Sequence, residues 1–94
     1  MKLKELLADV PVQQWHADPE MEITTLCCDS RKAEPDSLFV AVSGFASDGN
    51  RFIPAAMEKG AAAVVTAKKP EQEIPYVLVE SDRLALALIS ANYF

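Results

Sequence analysis

Residues 38–66 read LFVAVSGFASDGNRFIPAAMEKGAAAVVT. Two apolar runs, Leu38–Val42 and Ala61–Thr66, flank a segment with helical character. Neither run alternates polar with apolar, which is the pattern of strands covered on both faces. Between them Pro54 fits a first helical turn, Asp48 can cap it, and Gly60 sits where a left-handed C-terminal cap belongs. The spacing predicts a helix over 50–59 and a strand–helix–strand crossover, expected to be right-handed.

Working outward, Leu3, Leu6, Leu7 and Val10 have helical spacing up to a stop at Pro11. Residues 11–20 are polar with two prolines and read as a loop. Residues 22–28 (EITTLCC) and 76–79 (YVLV) read as strands, with the turn pair Pro35-Asp36 between the first of these and Leu38. Residues 67–75 read as a charged, solvated connection. Ser81 should cap a last helix, DRLALALISANYF, whose positive end Asp82 favours. Helices alternating with apolar strands place the chain in the α/β class, with a small mixed or partly parallel sheet flanked by helices. Residues 1–94 are expected to be a single domain. The last helix ends in Asn92-Tyr93-Phe94 without a polar tail, so the chain reads as the first domain of something longer.

Composition narrows the function. A formal net charge of -5 argues against a nucleic-acid surface. No apolar run approaches a membrane span, and the start, MKLKELLADV, reads as a short amphipathic helix rather than a signal peptide. Cys27 and Cys28 are adjacent, which makes a disulfide between them sterically poor, and with one His they do not make a zinc site. A reducing cytoplasm fits that usage best.

Two segments could carry chemistry. Asp29-Ser30-Arg31 ends a strand and offers an acceptor, a hydroxyl and a guanidinium fork at a place where α/β sheets bind ligands. It is equally a turn in which Asp29 pairs with Arg31 or a backbone N–H, and the triplet alone favours that turn. Residues 43–49, SGFASDG, leave one buried strand and feed a helix. Phe45 could stack on a base or fold back on the core, and Ser47 and free amides could hold a phosphate or a base edge. The sequence has no GxxxxGK[ST] and no GxGxxG. His16 reads as a surface residue, and Cys28, which could face the site, by default as a small buried apolar one. No catalytic constellation and no metal motif is evident.

The run DSRKAEPDSLFVAVSGFASDGNRFIPAAMEKGAAAVV, residues 29–65, resembles the N-terminal domain of the Mur ligases, specifically the MurE type, the UDP-N-acetylmuramoyl-tripeptide synthetases. The shared pattern is carried by Asp29, Ser30, Arg31, Pro35, Leu38, Phe39, Val40, Ala41, Gly44, Asp48, Gly49, Phe52, Ile53, Ala56, Gly60, Ala61, Ala63 and Val64. The resemblance implies a cytoplasmic enzyme of peptidoglycan synthesis, and so of cell shape and division. With ATP and Mg2+ it adds meso-diaminopimelate or L-lysine to UDP-MurNAc-L-Ala-D-Glu. Three domains are implied: the first holds UDP, the second ATP and the third the incoming amino acid. This chain corresponds to the first alone and should itself be inactive, with neither catalytic residues nor a cofactor.

Carried over by position, the resemblance makes Ser30 a UDP-sugar contact. Cys28 stands where relatives often have Leu, and Phe45, Ala46 and Ser47 form a uridine-diphosphate contact segment. Asp29, Arg31 and Asn50 are possible supports. Asp36 replaces a usual Gly and Asn50 a usual His; Asp36 should alter only a turn. The alternatives are the D-Ala-D-Ala-adding MurF type, which has a similar first domain, and a free-standing small-ligand or interaction module. A G-T-N-G-K-T-like loop soon after Phe94 would support a ligase, and a stop codon the module.

Overall fold

The computed structural model describes residues 1–42 and 49–94, and side chains at all of these except Gly49 and Asn50. In chain order the elements are α1 (Leu3–Leu6), β1 (Val12–His16), β2 (Thr25–Cys27), a 3-10 turn (Ser30–Lys32), β3 (Ser37–Ala41), a second 3-10 turn (Gly49–Phe52), α2 (Ile53–Glu58), β4 (Ala63–Thr66), β5 (Tyr76–Val79) and α3 (Asp82–Tyr93). The strands form one sheet in the order β1-β5-β4-β3-β2. The pairs β2–β3, β3–β4 and β4–β5 are parallel, and only β1 runs antiparallel, against β5.

The strand–helix–strand reading of residues 38–66 holds. β3 is buried along its whole length, and Leu38 and Phe39 pair with Ala63 and Val64 of β4. Successive strand residues point to opposite faces, so Leu38 and Val40 join one core and Phe39 and Ala41 another. The first core packs Leu3, Leu6 and Val10 with Ala85 and Ile89 of α3; the second packs Ile53 and Ala56 of α2 over Val64 and Tyr76. Both faces of the sheet are thus covered, which is why the inner strands carry almost no polar residue. Asn92 fastens α3 over α1, its Nδ2 donating to the carbonyls of Leu6 and Ala8 at 2.9 Å each.

Gly60 is left-handed, with φ of 102°. The N–H of Gly60 donates to the carbonyl of Met57 at 3.0 Å and that of Ala61 to Ala56 at 3.1 Å, the paired bonds that close a helix through such a residue. Space excludes a side chain as well: a Cβ on Gly60 would lie 2.9 Å from Cα of Pro35. Asp36 is the partner of this corner. Its N–H donates to the carbonyl of Gly60 at 3.0 Å, and its own φ is 63°. A left-handed position explains the Gly of the Mur-type pattern, and Asp is one of the few other residues that tolerate it. At α3, Ser81 accepts from the N–H of Leu84 at 3.2 Å, the expected cap.

Three expectations need correction. Residues 11–20 are not all loop: Val12–His16 is the edge strand β1, with Val12 half-buried and the other four exposed. An edge strand covers little, so it needs no apolar run. α1 ends at Leu6, well before Pro11, because the chain turns through Asp9 at φ 67° to enter β1; Val10 still reaches the core. The helix expected over 50–59 begins as the second 3-10 turn and becomes α-helical only at Ile53. The proposed cap at Asp48 lies outside the described residues.

Candidate functional site

Because β2, β3 and β4 are parallel, the chain leaves all three along one edge of the sheet. Immediately after β2 comes Cys28-Asp29-Ser30-Arg31. Asp29 is extended, and its Oδ1 accepts from the backbone N–H of Arg31 at 3.0 Å, which caps the short 3-10 turn. The guanidinium of Arg31 closes back on the same carboxylate, Nε to Oδ1 at 3.1 Å and Nη2 to Oδ2 at 2.9 Å. The Arg31 fork, and then its backbone N–H, hold the Asp29 carboxyl well below the usual carboxylate range, at about 2. Lys59, just past α2, ties this turn to the helix layer by donating from Nζ to the carbonyl of Arg31 at 2.8 Å.

The triplet is therefore the turn that composition favoured, and Asp29 and Arg31 largely satisfy each other. Ser30 is the residue it leaves over. As a residue it is only 7% exposed, and it lines an open cleft of about 730 Å³ with no hydrogen bond from its side chain to another described residue. Among the described residues its apolar lining is Phe39, Val42, Phe52 and Ala55, and Cys28, Asp29, Ser30 and Arg31 complete the wall. An apolar slot of this size with a few converging polar groups is the usual form of a small-molecule site.

The expected site residues divide as follows. Cys28, Asp29, Ser30 and Arg31 come together at the cleft. Phe45, Ala46 and Ser47 lie outside the described residues; Asn50 falls in the second 3-10 turn, with its side chain likewise outside. Cys28 is exposed, not the buried apolar residue expected by default: it is the first residue past β2, which is an edge strand of the sheet. Cys27 is half-buried, burial pushes its thiol up, and both cysteines are free. His16 lies at the opposite edge of the sheet, paired with Tyr76, the first residue of β5, and stacked on its ring at 4.7 Å. It is the surface residue expected.

Sequence reasoning missed Phe52 and Ala55. The signal was present. Ile53 and Ala56 share one helical stripe and enter the core, whereas Phe52 and Ala55 share the adjacent stripe, leaving Phe52 42% exposed over the cleft. Beside it a smaller groove of about 280 Å³ runs between Arg51, Lys68 and Lys69, with Glu71 also in its wall.

Residues 22–92 match the protein family described as "Mur ligase family, catalytic domain". Along its whole length the chain is 35% identical to the UDP-N-acetylmuramoyl-L-alanyl-D-glutamate--2,6-diaminopimelate ligase of Listeria innocua, covering 19% of that protein. It is 40% identical to the ligase 1 of the same name from Clostridium acetobutylicum, covering 20%. The chain thus spans about a fifth of the length of these relatives. Among solved structures it is similar to MurF from Acinetobacter baumannii, with a TM-score of 0.85 at 27% identity over 97% of this chain and 20% of that one. It is also similar to MurF from Thermotoga maritima in complex with ADP, with a TM-score of 0.65 at 30% identity over 74% of this chain and 17% of that one. The family match over residues 22–92, the likeness along the whole chain to two ligases of that family and the shared α/β fold agree: this chain belongs to the Mur ligase family.

Proposed function

We propose that this chain is the substrate-holding domain of a cytoplasmic ligase of peptidoglycan synthesis. In that reading it grips the UDP end of UDP-MurNAc-L-Ala-D-Glu while other domains add the third amino acid with ATP and Mg2+. The observation that carries the proposal is the cleft itself: a largely apolar slot of about 730 Å³ at the ends of the parallel strands, lined by Ser30, whose side chain makes no hydrogen bond to another described residue. A uridine diphosphate matches the cleft chemically. Its uracil presents two carbonyl acceptors and an N–H, and its phosphates present anionic oxygens to a hydroxyl donor. Phe52, with Phe39 and Val42 behind it, offers the apolar surface for a flat ring. Residues 45–47 follow in sequence directly after Val42 and Gly44, so the proposed backbone contacts of Phe45, Ala46 and Ser47 would extend the same site.

The residues present do not fit an ATP site, since the sequence has no GxxxxGK[ST] and only three Gly. Binding and orienting one substrate is the whole of this chain's proposed part, and by itself it should form no peptide bond. The names of the relatives favour the MurE type, with diaminopimelate as the added amino acid. The MurF type has the shape likeness on its side, but two ligases sharing a first-domain fold would both give it.

Amide chemical-shift mapping tests the proposal. UDP and UDP-MurNAc-L-Ala-D-Glu should shift Cys28–Arg31, Val42 and Phe52–Ala55 and leave β1 unmoved. Shifts confined to β1, or none with either ligand, would overturn it.

A further inference from the structure

Residues 67–75 read in the sequence as a solvated connection, yet the structure pins their start. Thr66, the last residue of β4, is fully buried. Its Oγ1 donates to the carbonyl of Lys68 at 2.8 Å, and it accepts from the Lys68 N–H at 3.1 Å. Pro70, two residues on, is buried as well. Lys68 and Lys69 are thereby held along the groove of about 280 Å³, which Arg51 also lines from the 3-10 turn that precedes α2. Three cations therefore gather in one concavity of a chain whose net charge is -5, and among the described residues Glu71 is the single acid in its wall. Neither Arg51 nor Lys69 forms an ion pair among the described residues. The groove follows β4 at the carboxyl edge of the parallel strands, where α/β sheets place ligands. No described residue lines both it and the cleft at Ser30.

We propose that this groove is a phosphate site, which takes a phosphate dianion, free or at the end of a small ester, separately from the cleft at Ser30. The inference does not rest on the nucleotide reading of that cleft. Charge selects the ligand: three cations less one carboxylate leave two positive charges, the complement of a dianion rather than of a monocarboxylate. The Arg51 guanidinium offers a planar fork that fits two phosphate oxygens at once, and the two ammonium groups act as point charges beside it. Size selects as well, because the volume lies just under the range of about 300–1,000 Å³ that takes drug-sized ligands. Pinning by Thr66 keeps the two lysines near their places before an anion arrives, so less order is lost on binding.

The test titrates inorganic phosphate into the chain at constant ionic strength, balanced with chloride, and follows amide and Arg Nε–H shifts. Phosphate should shift Arg51 and residues 68–72 and leave Cys28–Arg31 in place. Methyl phosphate distinguishes the sources: its exclusion marks the free ion as ligand, equal affinity marks the end of an ester, and both support the site. Arg51→Gln and Lys69→Gln should each weaken binding about two- to fivefold, the range of an exposed ion pair. Glu71→Gln should tighten it by a similar factor, and all three should keep the wild-type urea midpoint. Lys32→Gln removes a cation outside the groove and should leave the affinity unchanged. Saturating UDP should not displace phosphate. Shifts spread evenly over the surface lysines, or an equal loss with Lys32→Gln, would reduce the effect to diffuse attraction and overturn the inference. So would the absence of any phosphate-dependent shift at Arg51 and Lys69. Displacement of phosphate by UDP would overturn it while sparing the nucleotide reading; a chain that binds phosphate and no UDP would support it while sinking that reading.

Discussion

The two ends of the parallel sheet are built for different purposes. At the end where the chain enters β3 and β4, the corner of Pro35, Asp36 and Gly60 is closed. Asp36 donates to the Gly60 carbonyl at 3.0 Å, the N–H of Thr24 donates to the Asp36 carbonyl at 2.9 Å, and no room remains for a Cβ on Gly60. At the end where the chain leaves β2 and β3, polar groups are arranged around an opening. Asp29 and Arg31 are spent on each other, the Ser30 hydroxyl is left over, and Phe52 stands partly uncovered. Backbone pairing without spare room marks the end that holds the fold, and an open, largely apolar cleft with a serine in its wall marks the end available to a ligand. Substitutions at the first end should change stability and leave ligand affinity alone; substitutions at the second should do the reverse.

The largest effect is expected at Gly60. A β-branched residue there meets the left-handed backbone penalty of about 1–2 kcal/mol. It also meets the Pro35 backbone, with an overpacking cost of about 1–3 kcal/mol. Gly60→Val should lower the urea-unfolding free energy by roughly the sum of these, while the fraction still folded binds UDP normally. Unchanged stability would refute the packed corner.

Next is Phe52. If the uracil or ribose lies on its ring, Phe52→Ala should weaken UDP binding by about 1–3 kcal/mol, the range for stacking on an aromatic side chain, and barely move the unfolding midpoint. Titration calorimetry paired with urea unfolding reads both. A stability loss without an affinity loss would return Phe52 to the core.

The Asp29–Arg31 pair should show in acid. The folded carboxyl titrates at about 2 against an ordinary 3.8, so the unfolded chain takes up a proton first as pH falls. The pair's contribution to stability is therefore complete above about pH 4 and is lost as pH falls toward about 2. Arg31→Ala should bring the Asp29 carboxyl back toward its ordinary range in a carbon-detected titration and flatten that part of the stability profile. An unmoved Asp29 midpoint would contradict the geometry.

The smallest effect belongs to Asp36. Glycine removes left-handed strain but adds freedom to the unfolded chain, so Asp36→Gly should change stability by less than about 1 kcal/mol. A loss well above that would mean the Asp36 side chain does more than occupy a turn.

How much of this could be read beforehand follows from the same contrast. The unit from Leu38 to Thr66 was legible because burial on both faces forces unbroken apolar runs and the helix end requires Gly60. The turn at Asp29–Arg31 was legible as a local pairing. β1 was not, because four of its five residues face solvent and its pairing with β5 leaves no periodicity in the sequence. The cleft was half legible. Ser30 and Cys28 were candidates from their place at a strand end, and the family resemblance gave them contact roles, whereas the apolar lining was hidden in a helix stripe and in strand residues that read as ordinary core. A Phe or Val that lines a cleft has the same composition as one that fills a core, and only the packing of the neighbouring element tells them apart.

The most direct test of the difference between the two ends is Ser30→Ala, measured for UDP affinity and for urea stability in the same preparation. A hydroxyl reserved for a charged ligand should raise Kd by roughly ten- to a hundredfold, about 1.5–3 kcal/mol. Its removal should leave the unfolding free energy unchanged or slightly higher, since no described protein partner is orphaned. A wild-type Kd together with a clear loss of stability would show that Ser30 serves the turn, and would contradict the account.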